Sequence, residues 1–365
     1  LVIGGEQRAP VPTGVCRSHA RQQPALRVPE NYSYYTRYNK NKDKDTNQMK
    51  QGPEVTEYRR AQFDVTNQVD TTDPCAVSYE VADIFERIYR REFPSGVMRV
   101  FADIGRLYRG DFPGYHACET EYHDIQHVLE VTLAMARLMD GCARSTGPEV
   151  MSERLFLVGT VAALFHDVGY LRRVGDTEKR HGAEYTSIHV GRSADFMGWY
   201  LPEVGLDELT GPAQRIVHFT GYEIPVGSIQ VEPEYRMIGN LLGSADILAQ
   251  MADRCYLEKC RDRLYPEFVL GGIARQVNEQ GEEKVVFASP ADLIFKTPGF
   301  FNGARKRLEQ DLDGVHRYAA GHFEGENLYF TAASKNINYA RELAASGDVS
   351  RLRRRLPEPE IARAA

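Results

Sequence analysis

Cysteine and tryptophan are scarce in this 365-residue chain, which has six of the first and one of the second. The cysteines (Cys16, Cys75, Cys118, Cys142, Cys255 and Cys260) form no CxxC pair, so neither a disulfide scaffold nor a zinc finger is expected. No apolar run approaches the roughly 18 residues that a membrane-spanning helix needs. The longest run, residues 155–165, stops at His166. A basic excess is missing too: the formal charge is −6, which removes the positive face that general nucleic-acid binding requires. No GxSxG elbow, no P-loop and no GxGxxG after a strand occurs, which sets those chemistries aside. The first residues lack the charged, apolar and small-residue order of a secretory signal. With the thiols read as reduced, a cytoplasmic protein is expected.

What is present is an ordinary globular mix, 42% apolar and 26% charged, able to bury a sizeable core. Residues 1–75 differ from the rest. Positions 31–55 carry Asn, Lys, Asp, Gln and Tyr with almost no aliphatics, too little apolar surface to offset ordering entropy. An extended or disordered arm is expected there, offering its tyrosines to a protein partner. Helical periodicity dominates from residue 76 to 345, followed by a charged tail over 346–365. Helices are expected over 79–93, from an N-cap at Thr120 through 139, and over 152–165, 187–200, 212–219 and 237–264. Two more are expected within 303–319 and 331–345. A single hairpin is expected over 274–288, turning at Gln280-Gly281. The fold class is therefore all-α with a small β insertion.

The chemistry-bearing residues fall at points this reading brings together. His123 and His127 are spaced i, i+4, which places both on one helix face. His166-Asp167 ends the apolar 152–165 helix, and Gly169 lets the chain turn away. Asp246 lies within an apolar helix, where an unpartnered carboxylate costs several kcal/mol or is forced neutral. A cation relieves that cost, and neutral imidazole with carboxylate suits borderline and hard divalent metals. Each feature alone has an ordinary structural explanation; their combination on apolar helices points to a metal. Arg172, Arg173, Lys179 and Arg180 crowd the segment after the His-Asp pair, with Arg192 beyond, and are candidate partners for a substrate phosphate.

His127, His166-Asp167 and Asp246, in this order, resemble the H…HD…D pattern of the HD-domain metal-dependent phosphohydrolases, over residues 122–264. Residues 122–127 (Tyr-His-Asp-Ile-Gln-His) are also similar to the Tyr-His-Asn-x-x-His motif of cyclic nucleotide phosphodiesterases, with Asp124 in place of Asn. The resemblance implies a helical bundle around the metal, His123 as general acid and His127 as ligand. It extends to His189 and His218, whose order is similar to the six-ligand binuclear sites of HD-GYP phosphodiesterases and HD-domain oxygenases. Tyr170 stands where the HD-GYP pattern has Lys, and no Gly-Tyr-Pro follows His218. The implied ligands are His127, His166, Asp167, His189, His218 and Asp246, with Asp167 bridging where two ions are present. His181 is expected to face substrate, and Gln250 is placed as the base-gripping amide. The expected cofactor is one or two divalent ions (Zn, Mg, Mn or Fe), and the expected substrate is small and phosphorylated, a nucleotide or cyclic nucleotide. A di-iron oxygenase and a non-enzymatic assembly subunit on the same scaffold are the alternatives.

Overall fold

The computed structural model describes residues 59–277 and 281–358. The expected arm up to residue 58, Cys16, Gln280 of the hairpin turn and the tail from 359 lie outside the described residues. What is described is mostly helical, and its one sheet has two strands. None of its helices is long and apolar enough to cross a membrane.

Residues 59–73, expected in the arm, are folded. Phe63 bridges Asp70, and Asp64 is buried against the equally buried Arg137 at 2.7 Å. Arg137 also donates to the Tyr329 hydroxyl at 3.1 Å. Burial works against ionisation of Asp64, but Arg137 and the Val69 amide hold its carboxyl below the usual value. Removing one partner of such a pair costs about 3–5 kcal/mol, because the other charge stays buried alone.

Helix α1 is Pro74–Tyr89, starting earlier than periodicity suggested because Asp73 caps it and Pro74 opens it. Helix α2, Ser95–Arg109, follows Pro94. Helix α3 is Ile125–Thr146, and its N-cap is Asp124, not Thr120. The Asp124 carboxylate accepts from the His127 amide at 3.0 Å, while the Thr120 hydroxyl is spent on the His123 carbonyl. Helix α4, Glu153–Phe165, is capped by Ser152 and is apolar all round. It lies against α2, α3, helix α6 (Asp207–Ile216) and helix α7 (Pro233–Ala252), while helix α5 (His189–Glu203) covers the turn that follows α4.

The expected 237–264 helix is three pieces. Helix α7 stops at Asp253, whose carboxylate turns to Lys259 and to the Cys255 amide at 2.6 Å. A helical turn, Tyr256–Lys259, leads into a π turn, Cys260–Leu264, and helix α8, Tyr265–Leu270. Gly239 and Gly243 mark no weakness in α7; Phe219 packs so close that a Cβ at either would clash. Strands β1 (Arg275–Val277) and β2 (Glu283–Val285) pair antiparallel with Arg275 opposite Val285, as the hairpin reading expected. Helix α9, Pro290–Lys306, starts at a Ser289 cap well before the expected 303, and α10 is Leu328–Ser346. Within the expected charged tail, Val349–Arg351 forms a short helical turn and Leu352 is buried.

A buried polar network ties 59–73 to α3. Gln126 donates to Glu130 at 3.1 Å and to the Ala61 carbonyl at 3.0 Å, and accepts from Lys259 at 3.0 Å. Burial, then the neighbouring Asp253 carboxylate, push Glu130 up to about 8. Its folded value therefore exceeds the unfolded one, about 4.3. The folded state holds this proton more tightly, so stability drains away as pH rises through that window. Glu130→Gln should gain stability relative to wild type between pH 6 and pH 9 in urea unfolding. A difference that stays constant across that range would show Glu130 already ionised at pH 6.

Candidate metal centre

Four side chains from three places meet in the core. His127 comes from the first turn of α3, His166 and Asp167 from the end of α4, and Asp246 from the middle of α7. His127 Nε2 lies 3.4 Å from His166 Nε2, 3.4 Å from Asp167 Oδ2 and 3.4 Å from Asp246 Oδ1. His166 Nε2 is 3.2 Å from Asp167 Oδ2. The donor atoms of His127, His166 and Asp246 fall within metal-binding distance of one another.

The tautomers follow from the outer partners. His166 Nδ1 sits 2.8 Å from the Ala163 carbonyl, which can only accept, so Nδ1 carries the hydrogen. The neutral ring then presents the Nε2 lone pair to the cluster. His189 repeats this: Nδ1 donates to the Thr186 carbonyl at 2.7 Å, and Nε2 faces Asp167 Oδ1 at 3.6 Å. With both rings neutral and protonated on Nδ1, buried Asp167 Oδ2 has no donor, although His166 Nε2 lies 3.2 Å from it. Lone pairs thus face lone pairs at a mostly buried cluster, an arrangement that repels itself unless positive charge enters. The donor set fits a divalent cation, with the two oxygens of Asp167 directed to different imidazoles.

Protons can meet part of the same demand. Burial disfavours the His166 imidazolium, but the Asp167 carboxylate overrides it and raises the group to about 9. Asp167 is held far below the carboxylate range despite burial, chiefly by His166. Burial lowers His189, against the pull of Asp167. A metal entering here would displace protons, so its binding should weaken in acid.

His123 is not on the α3 face shared with His127. It precedes the Asp124 cap, yet its ring remains 5.9 Å from that of His127. Its Nδ1 is 2.6 Å from Glu267 Oε2, and Glu267 Oε1 accepts from the Tyr122 amide at 2.6 Å. Burial opposes its charge, but Glu267 outweighs burial and raises His123 above the usual imidazole value. Tyr170 stacks between His123, at 4.4 Å, and His189, at 4.3 Å.

The turn bearing His166 and Asp167 is braced by α5. Ser193 donates to the His166 carbonyl at 2.6 Å and accepts from the Gly169 amide at 2.9 Å. Arg192 donates to the Gly169 carbonyl at 2.7 Å and to the Leu171 carbonyl at 2.8 Å, with its guanidinium over Tyr185. Gly169 is needed for close approach: a Cβ there would lie 1.9 Å from the His189 carbonyl oxygen.

Several of the expected substrate contacts have partners within the protein. Arg172 forks onto Glu119 at 2.8 and 2.7 Å, and Arg192 serves the turn. Arg173 is exposed and holds the Tyr115 hydroxyl at 3.2 Å. His181 caps the short helix Gly182–Tyr185, its Nδ1 accepting from the Ala183 amide. Gln250, one turn after Asp246, lies 3.5 Å from the Tyr122 hydroxyl. His218 is outside the four-residue cluster and pairs with Glu223 at 3.0 Å. Burial opposes charge on Glu223, but His218 and His189 keep it below the usual carboxylate value. Glu223, Glu267 and Ser193 were not anticipated. Only Glu223 carried a sequence signal, its closeness to His218.

Comparison with models of known protein families finds no match, and neither does comparison with curated proteins.

Asp167→Ala should strip a divalent ion that survives dialysis in the wild type, and His218→Ala should keep the ion held by His127, His166 and Asp246. Metal content after gel filtration measures both. Wild-type stoichiometry in Asp167→Ala would remove Asp167 from the ligand set.

Proposed function

We propose that the protein is a metal-dependent phosphoric ester hydrolase, acting on a phosphodiester of nucleotide type. One observation supports this reading above the rest. Beside a buried cluster that demands a cation stands a histidine that is not part of it, His123, fixed by a carboxylate and by a stacked tyrosine. Ligands alone would serve any divalent-metal chemistry; an oriented acid next to them serves cleavage of an ester with a basic leaving oxygen.

His127, His166, Asp167 and Asp246 would hold the first ion, and Asp167 Oδ1 with His189 would face a second. A divalent ion there lowers the pKa of water and withdraws charge from a phosphoryl oxygen. The chain's own contribution to bond breaking is a proton. Glu267 accepts from His123 Nδ1, stabilises the imidazolium and leaves Nε2–H to be given to the departing alkoxide. As a water oxygen bonds to phosphorus, the P–O bond to the leaving group breaks, its electron pair stays on the leaving oxygen, and that oxygen takes the His123 proton. Tyr170 stops the imidazole from tilting, and the Tyr122 amide fixes Glu267 in turn.

His123→Asn should retain metal and lose about 10²–10⁴-fold in turnover on a diester with an alkyl leaving group. The loss should be much smaller on bis(4-nitrophenyl) phosphate, whose leaving group departs without a proton. Equal losses on both substrates would make His123 a positioning residue. Iron in protein purified with its native metals, together with oxygen consumption and no ester cleavage, would replace the hydrolase with the oxygenase reading.

A further inference from the structure

The loop that delivers His123 and caps α3 is held from one side by a single helical face. Arg263, in the π turn, and Glu267, in α8, are four residues apart and both reach residues 121–124. Glu267 takes the Tyr122 amide and His123. Arg263 donates through Nη1 to the Glu121 carbonyl at 3.4 Å and to Asp124 Oδ2 at 3.3 Å. The other oxygen of Asp124 accepts from the amide of the ligand His127. Arg263 is buried, so its guanidinium depends on these acceptors for compensation.

The remaining acceptor comes from the far end of the chain. Arg263 Nη2 donates to the Pro357 carbonyl, within a segment, 352–358, that lies along the turn after α7. Arg261 donates to the Leu352 carbonyl at 3.0 Å, and Glu258 accepts from the Arg354 amide at 3.2 Å. Arg354 bonds the Arg254 carbonyl and, at 3.3 Å, Asn336. Leu352 is buried beneath these contacts.

We infer that Arg263 is a positioning residue whose guanidinium links segment 352–358 to Asp124, so that docking of this segment sets the metal affinity of the cluster. The inference rests on the metal centre proposed above but not on the reaction assigned to it. The fork divides the work between its two nitrogens: one fixes the loop and cap, the other is anchored by the strap. Loss of the anchor frees the guanidinium to follow solvent, and the 121–124 loop loses the contact that sets the entry angle of α3.

The test is a double-mutant cycle read by Mn²⁺ binding, followed by electron paramagnetic resonance with the metal alone. Its corners are wild type, Arg263→Ala, a chain stopped after Leu352, and the two changes combined. Each single change should weaken Mn²⁺ by about tenfold, the low end of what outer-shell partners are worth. The combined chain should be no weaker than Arg263→Ala alone, because the strap acts through that residue. Amide exchange across 121–127 should rise in both single variants, a readout that needs neither metal nor substrate. Arg354→Ala, which loosens the strap without deleting it, repeats the comparison if the shortened chain fails to fold. Additive losses, or unchanged Mn²⁺ affinity in both strap variants, would overturn the inference. Normal Mn²⁺ coupling without ester hydrolysis would overturn the hydrolase reading alone.

Discussion

Asp167 sets two carboxylate oxygens among three imidazoles inside a protein core. An ionised carboxylate so placed is tolerable only beside positive charge, because burial removes the water that would otherwise stabilise it. The helices nearby are arranged around that demand. Helix α4 ends there, α3 begins there, and α7 passes with Asp246 turned inward. With protons alone, His166 carries the compensation. With a divalent ion, four donors share it. On the metal reading, protons and a divalent ion would compete for one cluster, with pH deciding between them.

Precision at such a centre comes from what holds the ligands. Neither His166 nor His189 is free to rotate, since a backbone carbonyl fixes the outer nitrogen of each. The turn after α4 could drift, but Ser193 and Arg192 of α5 bind its carbonyls and one amide. Tyr170 then couples the two sides of the site, with one imidazole stacked on each face of its ring. A shift of that turn would therefore move His123 and His189 together.

Elements with strong local signals were legible in the sequence. The apolar 152–165 stretch became α4 almost residue for residue, and the hairpin was found where Gly281 marked it. His127, His166, Asp167 and Asp246 could be grouped because each sits in an apolar stretch where a polar side chain has few other uses. The failures share one cause. Thr120 and Asp124 are both respectable caps, and only the tertiary setting decides between them: Arg263 reaches Asp124, while the Thr120 hydroxyl is taken by His123. The break at Asp253 depends on Lys259, and the order in 59–73 depends on Arg137 far along the chain. Arg172, a candidate for phosphate, is held by Glu119, more than fifty residues away. Local patterns place a residue on an element; they do not say which long-range partner has already engaged it.

That commitment of the arginines bears on what the site can receive. Arg172 answers Glu119, Arg192 answers two carbonyls, and Arg173 lies exposed on Tyr115. On the hydrolase reading, positive charge at the reacting phosphate would come from the cation cluster and from His123, with Arg172 and Arg192 engaged by protein acceptors. A phosphodiester carries one negative charge and offers two non-bridging oxygens to such a cluster. A terminal phosphate at neutral pH carries close to two charges and commonly calls for a bidentate arginine as well. On that reading, the proton held by His123 and the single negative charge of a diester suit a site whose opposing charge would come from a cation cluster.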